Sequence, residues 1–428
     1  MIHRFFVWLH RWVGLALAAF LVLVGLTGAI LSFKTRIDRL INPKLFVEPE
    51  AGATLLDPAT LAERAEAWFP QMRVGFFAVE SDQVEIHCLP RVNPATGEPF
   101  GLSFDELFLD PYTGNVLGSR RFGDLSQGRV NVTPFIYQLH TSMALGPKGE
   151  LVLGIIALIW TLDSFVGFYL TLPRGRKRFW RRWKHAWWVK WRANAFRVNF
   201  DLHRAGGLWF WLLVFVFAWS SVMLALSPVY ERVTGALFDY ERLDSMMSFA
   251  LPEPKNKPKL DWNEAQAAGQ RLVSEQAALH GWKVTRPFGM GYIPEFGVYT
   301  YAVRTAQDIR GHGWDAGVWV DGDTGGLRKV FFPAGEHAGN VVSTVLWGLH
   351  YGDIRDILAY RILVFLFGFV LAMLCVTGVY IWWKKRRARI QVASRAVFAA
   401  SPCDTPVGEV VSPRGSRRGL NRGVKNGT

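Results

Sequence analysis

Apolar residues in this chain fall in long unbroken windows. Trp12–Phe33, Leu151–Leu172, Ala205–Val229 and Ile362–Trp383 are almost wholly apolar, each spans 22 residues or more, and Asp163 is the single charge inside any of them. A helix of that length crosses a hydrocarbon layer of roughly 30 Å, so the pattern predicts four membrane spans. The connections carry shorter periods. Helical spacing covers Pro58–Trp68 and Trp262–His280, and strand-like runs follow at Val74–Val79, Val84–Leu89 and Val298–Val303, with Gly, Pro and Asn clusters as turns. Leu251–Leu260, with three Pro and three Lys, reads as a linker, and Gln391–Thr428 as a disordered tail.

The signals come in pairs and in one order. His10-Arg11-Trp12-Val13-Gly14 opens the first span and His203-Arg204-Ala205-Gly206-Gly207 the third. Leu107-Phe108-Leu109-Asp110-Pro111-Tyr112-Thr113-Gly114 is matched by Val318-Trp319-Val320-Asp321-Gly322-Asp323-Thr324-Gly325. Tyr137-Gln138-Leu139-His140 answers Trp347-Gly348-Leu349-His350, and Val166-Gly167-Phe168-Tyr169 answers Thr377-Gly378-Val379-Tyr380. Four landmarks in one order indicate a duplication. Both halves enter the membrane from the same side, so the repeat is parallel, with its pseudo-two-fold axis along the membrane normal. Equivalent residues then face each other at equal depth.

The expected fold is a membrane α-helical protein, four transmembrane helices as a parallel two-fold repeat, with two external α+β domains. Residues 1–33 hold the N-terminal segment and first span, 34–150 the first external domain, and 151–172 the second span. A basic connection follows at 173–204, the third span at 205–229, the second external domain at 230–361, the fourth span at 362–383, and a basic tail at 384–428.

The formal net charge of +14 raises the possibility of nucleic acid, but the cations cluster beside spans. Arg174–Arg192 holds nine Lys and Arg, and Lys384–Arg389 holds five. These are flanks of the positive-inside kind, which place both termini in the cytoplasm and both long connections outside, in a bacterial inner membrane. No basic stripe accompanies a folded nucleic-acid motif, so that partner is set aside. The first span is too long for a signal-peptide core and stays as an anchor. Cys88, Cys375 and Cys403 are too few for a disulfide scaffold.

Spans enclosing helix-plus-sheet units that end in Leu-Asp-Pro-Tyr-Thr-Gly-type turns resemble the PepSY-associated transmembrane helix family, over about residues 1–390. Within it, the His-Arg-x-x-Gly and aromatic-x-Leu-His motifs resemble iron-regulated membrane proteins and haem-containing ferric-siderophore reductases of the FoxB type. That resemblance implies PepSY-like external domains, an oxidoreductase activity toward a ferric siderophore or other ferric chelate, and release of ferrous iron. Some relatives carry an appended flavin reductase domain. Here the electrons would come from a separate cytoplasmic donor or a membrane quinol.

Four of the ten histidines recur in the repeat: His10 with His203, and His140 with His350. Two facing imidazoles can supply both axial ligands of a haem iron, so the pairs are candidate ligands for two b-type haems. No Cys-x-x-Cys-His occurs, which excludes covalent c-type attachment. Arg11 and Arg204 are placed to pair with haem propionates. The plainer reading makes the four interfacial residues that reach toward headgroups. Their recurrence favours ligands. Zinc fits less well, because no acid or thiolate repeats alongside. His3 and His185 lie on the cytoplasmic flank, and His87, His280, His312 and His337 in the external segments; none of these repeats.

A carboxylate within a span costs ~2.5–3.5 kcal/mol on insertion scales, so Asp163 is a candidate proton carrier, cofactor partner or packed acid. Its counterpart is Leu374, which sets it apart from the duplicated chemistry. Trp and Tyr near the span ends read as an aromatic belt, and Trp209, Trp211 and Trp219 as core. Two other functions compete. One is a non-redox anchor whose PepSY-like domains modulate a peptidase. The other is a permease using Asp163, against which stands the lack of a span broken midway by Pro or clustered Gly with a matching partner.

Overall fold

The computed structural model describes residues 1–49, 52–175, 177–241, 248–313 and 315–400. The last 28 positions of the expected disordered tail, Cys403 among them, lie outside the described residues. The chain divides into two compact units, Met1–Ile381 and Trp382–Thr428.

Three helices are long and apolar enough to cross a membrane: α1 (Ile2–Leu31), α5 (Pro147–Thr171) and α12 (Leu358–Ala400). A fourth crossing would combine α7 (Ala195–Trp209) with α8 (Trp211–Ala225), which meet at a 68° bend around Phe210. The window Ala205–Val229 was expected to be one straight helix, so this is a correction. The reason lies in composition. Arg197, Asp201, His203 and Arg204 belong to α7, whereas α8 has no charge at all. One apolar window thus joins the end of α7 to the whole of α8. The bend has no matching partner in α1, which runs unbroken from Ile2 to Leu31.

The helices pack through small residues. A Cβ on Gly368 would sit 2.2 Å from the Gly25 carbonyl oxygen, and one on Gly154 would sit 2.6 Å from that of Ala225. Glycine therefore sets how closely α1 approaches α12 and α5 approaches α8. Leu17, Leu21, Trp160, Phe217, Ala218 and Phe367 fill the space among them.

Outside the bundle, α3 (Pro58–Trp68) and α10 (Trp262–His280) begin at aspartate caps. Asp57 accepts from the Thr60 amide, and Asp261 forms a reciprocal capping box with Glu264. Both helices cover one face of an antiparallel sheet of eight strands in the order β4-β3-β2-β1-β5-β6-β7-β8. The strands are β1 (Met72–Val79), β2 (Val84–Pro90), β3 (Glu106–Leu109), β4 (Val116–Arg120), β5 (Val284–Ile293), β6 (Val298–Thr305), β7 (Ala316–Asp321) and β8 (Leu327–Phe331).

Two separate external domains were expected; instead each segment contributes four strands to one sheet. β1 pairs with β5 through Phe76↔Gly291, Phe77↔Met290 and Ala78↔Gly289. This seam satisfies two rows of backbone groups that separate sheets would leave at open edges. Gly291 is required there, since a Cβ would lie 2.4 Å from the Gly75 carbonyl oxygen. The covered face is a core of Leu61, Met72, Phe77, Ile86, Leu107, Met290 and Val320. The Asp110 and Asp321 turns have one construction: each carboxylate accepts from amides two and three residues on, and Gly114 and Gly325 both take φ +68°.

The tail expected to be disordered from Gln391 instead continues α12 to Ala400. Lys384–Ala400 contains neither Gly nor Pro, so the helix propagates beyond the apolar stretch one residue at a time. Two more helices complete the site: α4 (Val132–Ser142) before α5, and α11 (Ala338–Tyr351) before α12.

Candidate functional site: two facing histidine pairs

His10 lies on α1 and His203 on α7. Their ring centres stand 6.1 Å apart with planes inclined by 50°. His140 on α4 and His350 on α11 stand 6.2 Å apart at 59°. All four sequence-selected histidines thus come together in the two pairings expected.

Each Nδ1 has an oxygen partner. His203 Nδ1 is 2.9 Å from the Leu374 carbonyl and 3.2 Å from Thr377 Oγ1. His140 Nδ1 is 3.0 Å from Thr27 Oγ1, and His350 Nδ1 is 2.8 Å from Ser220 Oγ. Those hydroxyls have already placed their own hydrogens. Thr377 donates to the Met373 carbonyl at 2.7 Å, Thr27 to Leu23 at 2.8 Å and Ser220 to Phe217 at 3.2 Å. The Leu374 carbonyl can only accept, so His203 carries its proton on Nδ1; hydroxyls that donate to helix carbonyls are placed to accept from His140 and His350 in the same way. His10 Nδ1 meets Asp163 Oδ2 at 2.9 Å. With the proton on Nδ1, Nε2 of each ring has no hydrogen-bond partner among the described residues and can offer its lone pair to a metal.

Glycines seat three of the rings. A Cβ would lie 2.9 Å from the His140 ring at Gly28, 3.1 Å from His203 at Gly378 and 3.3 Å from His10 at Gly167. Asp163 and Gly167 on α5 thereby serve His10 at the spacing that Leu374 and Gly378 on α12 use for His203. Asp163 was set apart because Leu374 is its counterpart. The structure corrects this: both positions support an imidazole, one through a carboxylate and the other through its backbone carbonyl.

Arg204 Nη2 donates to Asp201 Oδ1 and to the His185 carbonyl, both at 2.8 Å, and its buried Nε has no partner. Among the described residues, Nε and Nη1 remain for another acceptor. Arg11 is half-buried and makes no hydrogen bond or ion pair among the described residues. Of the three tryptophans expected in the core, Trp219 packs on Tyr230 against a buried cluster, Trp211 is half-buried and donates to the Ser164 carbonyl, and Trp209 is instead exposed, its indole donating to the Trp187 carbonyl.

Four of the remaining histidines have other partners. His3 meets Arg174 at 2.6 Å, His337 meets Asp239 at 2.8 Å, and His280 stacks on Trp282. His312 donates to Asp353 at 2.9 Å, and this hydrogen bond holds the imidazole pKa above its ordinary value and the carboxyl below its own. Strand-loop residues 309–312 are thereby tied to the segment just after α11, where Gly311 also donates to the Asp353 carbonyl. His87 lies beside Glu85 and Glu106. Sequence reasoning missed Thr27, Ser220 and Thr377, because hydroxyls are common in membrane helices and nothing in their spacing marks them.

The family model of the PepSY-associated TM region matches residues 7–385. The chain belongs to that family. It is therefore a membrane protein with an attached antiparallel α+β part. No curated protein matches the chain.

Proposed function

We propose that this PepSY-associated membrane protein is a b-type haem electron-transfer protein. It carries electrons from a cytoplasmic donor or quinol to a ferric siderophore or similar ferric chelate on the sheet side, releasing ferrous iron. In this reading the chain is a parallel duplication of four spans, α7 with α8 forming the third, set in a bacterial inner membrane with both termini cytoplasmic. The matched turns at Asp110 and Asp321 and the mirror-ordered sheet support the duplication.

One observation carries the proposal. An imidazole nitrogen binds a first-row metal at about 2 Å and its ring centre lies about 1 Å behind, so two imidazoles on opposite faces of one iron have centres about 6 Å apart. The two pairs measure 6.1 and 6.2 Å. Four Nε2 lone pairs held free by four Nδ1 hydrogen bonds fit the axial donor set of two haems. Bound there, haem would supply a one-electron couple at its iron.

The residues supply the rest. Thr27, Ser220, Leu374 and Asp163 fix tautomer and ring direction, and Gly28, Gly167 and Gly378 give the rings their seats. Arg11 is the freer candidate for a propionate, since Arg204 is already committed to Asp201. A permease is less well supported, because the break at Phe210 has no partner in α1, whose helix runs unbroken from Ile2 to Leu31.

A reduced-minus-oxidised absorption spectrum of detergent-purified protein tests the reading. A b-type signal that falls by about half when either pair is removed is expected. No signal in the intact protein, or one unchanged when both pairs are removed, overturns it and leaves the membrane-anchored interaction protein.

A further inference from the structure

We propose that Glu85, His87 and Glu106 form a binding site for a first-row divalent cation on the sheet face turned away from α3 and α10. The strand register creates it. His87 on β2 pairs directly with Glu106 on β3, and Glu85, two residues before His87, points to the same face. One donor atom from each residue lies within 4.8 Å of the others.

A second observation points to a ligand. The Glu106 side chain is 1% exposed; its Oε2 takes the Arg120 Nε at 2.6 Å, while Oε1 is buried without a partner. A buried carboxylate oxygen is ordinarily satisfied, and a cation is what a lone carboxylate oxygen accepts best. His87 is likewise uncommitted: its ring stacks on Phe76 at 4.3 Å, which sets its plane, and its nitrogens make no hydrogen bond among the described residues.

The surroundings resemble the outer shell of a metal site. Arg120, fully buried, orients Glu106 and is anchored by Asp38 at 3.0 Å and by the Val130 carbonyl at 3.2 Å. Asp38 and Glu106 both pair with Arg120, and Lys34 lies near Glu85. One imidazole nitrogen with two carboxylate oxygens suits Fe2+, Mn2+ or Zn2+, whereas Mg2+ and Ca2+ prefer oxygen alone. The matching positions of the second segment are Thr300, Ala302 and Gly317, with Ala302 paired to Gly317 as His87 is to Glu106. Strand pairing alone does not create the donor set. The site is separate from the histidine pairs and does not depend on haem binding.

Zinc titration of the chelator-stripped, detergent-purified full chain by calorimetry, with bound metal counted by elemental analysis, tests this. Wild type is expected to bind one zinc equivalent that excess Mg2+ does not displace. His87→Ala and Glu85→Gln are each expected to weaken that equivalent by at least about tenfold. Unchanged melting temperature and elution volume would show that the fold survives, and the near-isosteric Glu85→Gln serves if His87→Ala lowers either. Binding unchanged in both variants, no zinc equivalent in wild type, or ready displacement by Mg2+ overturns the proposal.

Discussion

Behind His10 stands a carboxylate, Asp163, 2.9 Å from Nδ1; behind His140 and His350 stand hydroxyls at 3.0 and 2.8 Å. Ring separations are nearly equal in the two pairs, so the contrast lies in electrostatics rather than spacing. A carboxylate partner makes an imidazole a stronger donor and, where that imidazole binds iron, favours the ferric state. A hydroxyl fixes the tautomer with little added charge. The two levels thus combine similar geometry with different donor strength, and with haem bound at both the His10–His203 pair would hold the lower potential. Under the proposed function, that ordering would suit electrons moving toward the sheet.

The sharpest way to break this comparison is to remove a ligand from one level only. His203→Ala and His350→Ala are each expected to abolish about half of the b-type absorption, and the double variant nearly all of it. Either single variant erasing the whole signal would show that the pairs are not separate sites.

Next in size is the support behind each ring. Asp163→Ala is expected to weaken haem retention at the His10–His203 level by about 10- to 100-fold, the usual range for losing an outer partner of a metal-bound imidazole. Asp163→Asn should retain the haem but raise the midpoint potential of one of the two components in a redox titration. Thr27→Val and Ser220→Ala should move the other component, and by less. Equal shifts from carboxylate and hydroxyl variants would erase the distinction between the levels.

Seating is the third lever. Gly28→Ala places a methyl 2.9 Å from the His140 ring and should disturb only the His140–His350 component, at a cost of about 1–3 kcal/mol in melting experiments. Gly167→Ala, at 3.3 Å from His10, should be milder and act on the other component.

The smallest effect concerns the tie between the sheet and α11. The His312 pKa is raised above 6.5 in the fold, chiefly by its hydrogen bond to Asp353, so the stability it contributes is complete below 6.5 and is lost as pH rises through the raised value. The Asp353 pKa is lowered from 3.8, so its share is complete above 3.8 and is lost as pH falls through the lowered value. Both contributions are complete between 3.8 and 6.5. Amide-exchange protection of residues 309–312 is expected to fall between pH 6 and pH 9, with little change in His312→Gln, which lacks the titration. An unchanged profile in the intact protein would show that backbone contacts alone hold the loop.

Much of the site was legible before the fold. Two histidines at matched places in two segments pointed to their partners, because a parallel repeat would put like residues opposite each other, and the rings do face in those pairs. Helices α3 and α10 end where the apolar spacing placed them, since an aspartate cap and a turn bound each locally. The bend at Phe210 was not legible: hydropathy averages over a window and cannot register a change of direction between two apolar helices. The role of Asp163 was hidden by the search for identical residues, for Leu374 does the same work with a backbone carbonyl that every residue possesses.

Sequence alone determined the apolar helices, the four recurring histidines and the alternating strands, because each is written in the period and chemistry of neighbouring residues. The tertiary structure decided that β1 joins β5 across more than 200 residues, that Asp163 rather than a hydroxyl stands behind His10, and that Glu85, His87 and Glu106 converge. Those outcomes depend on strand register and helix rotation. Both are set by packing between segments far apart in the chain, where no local period reaches.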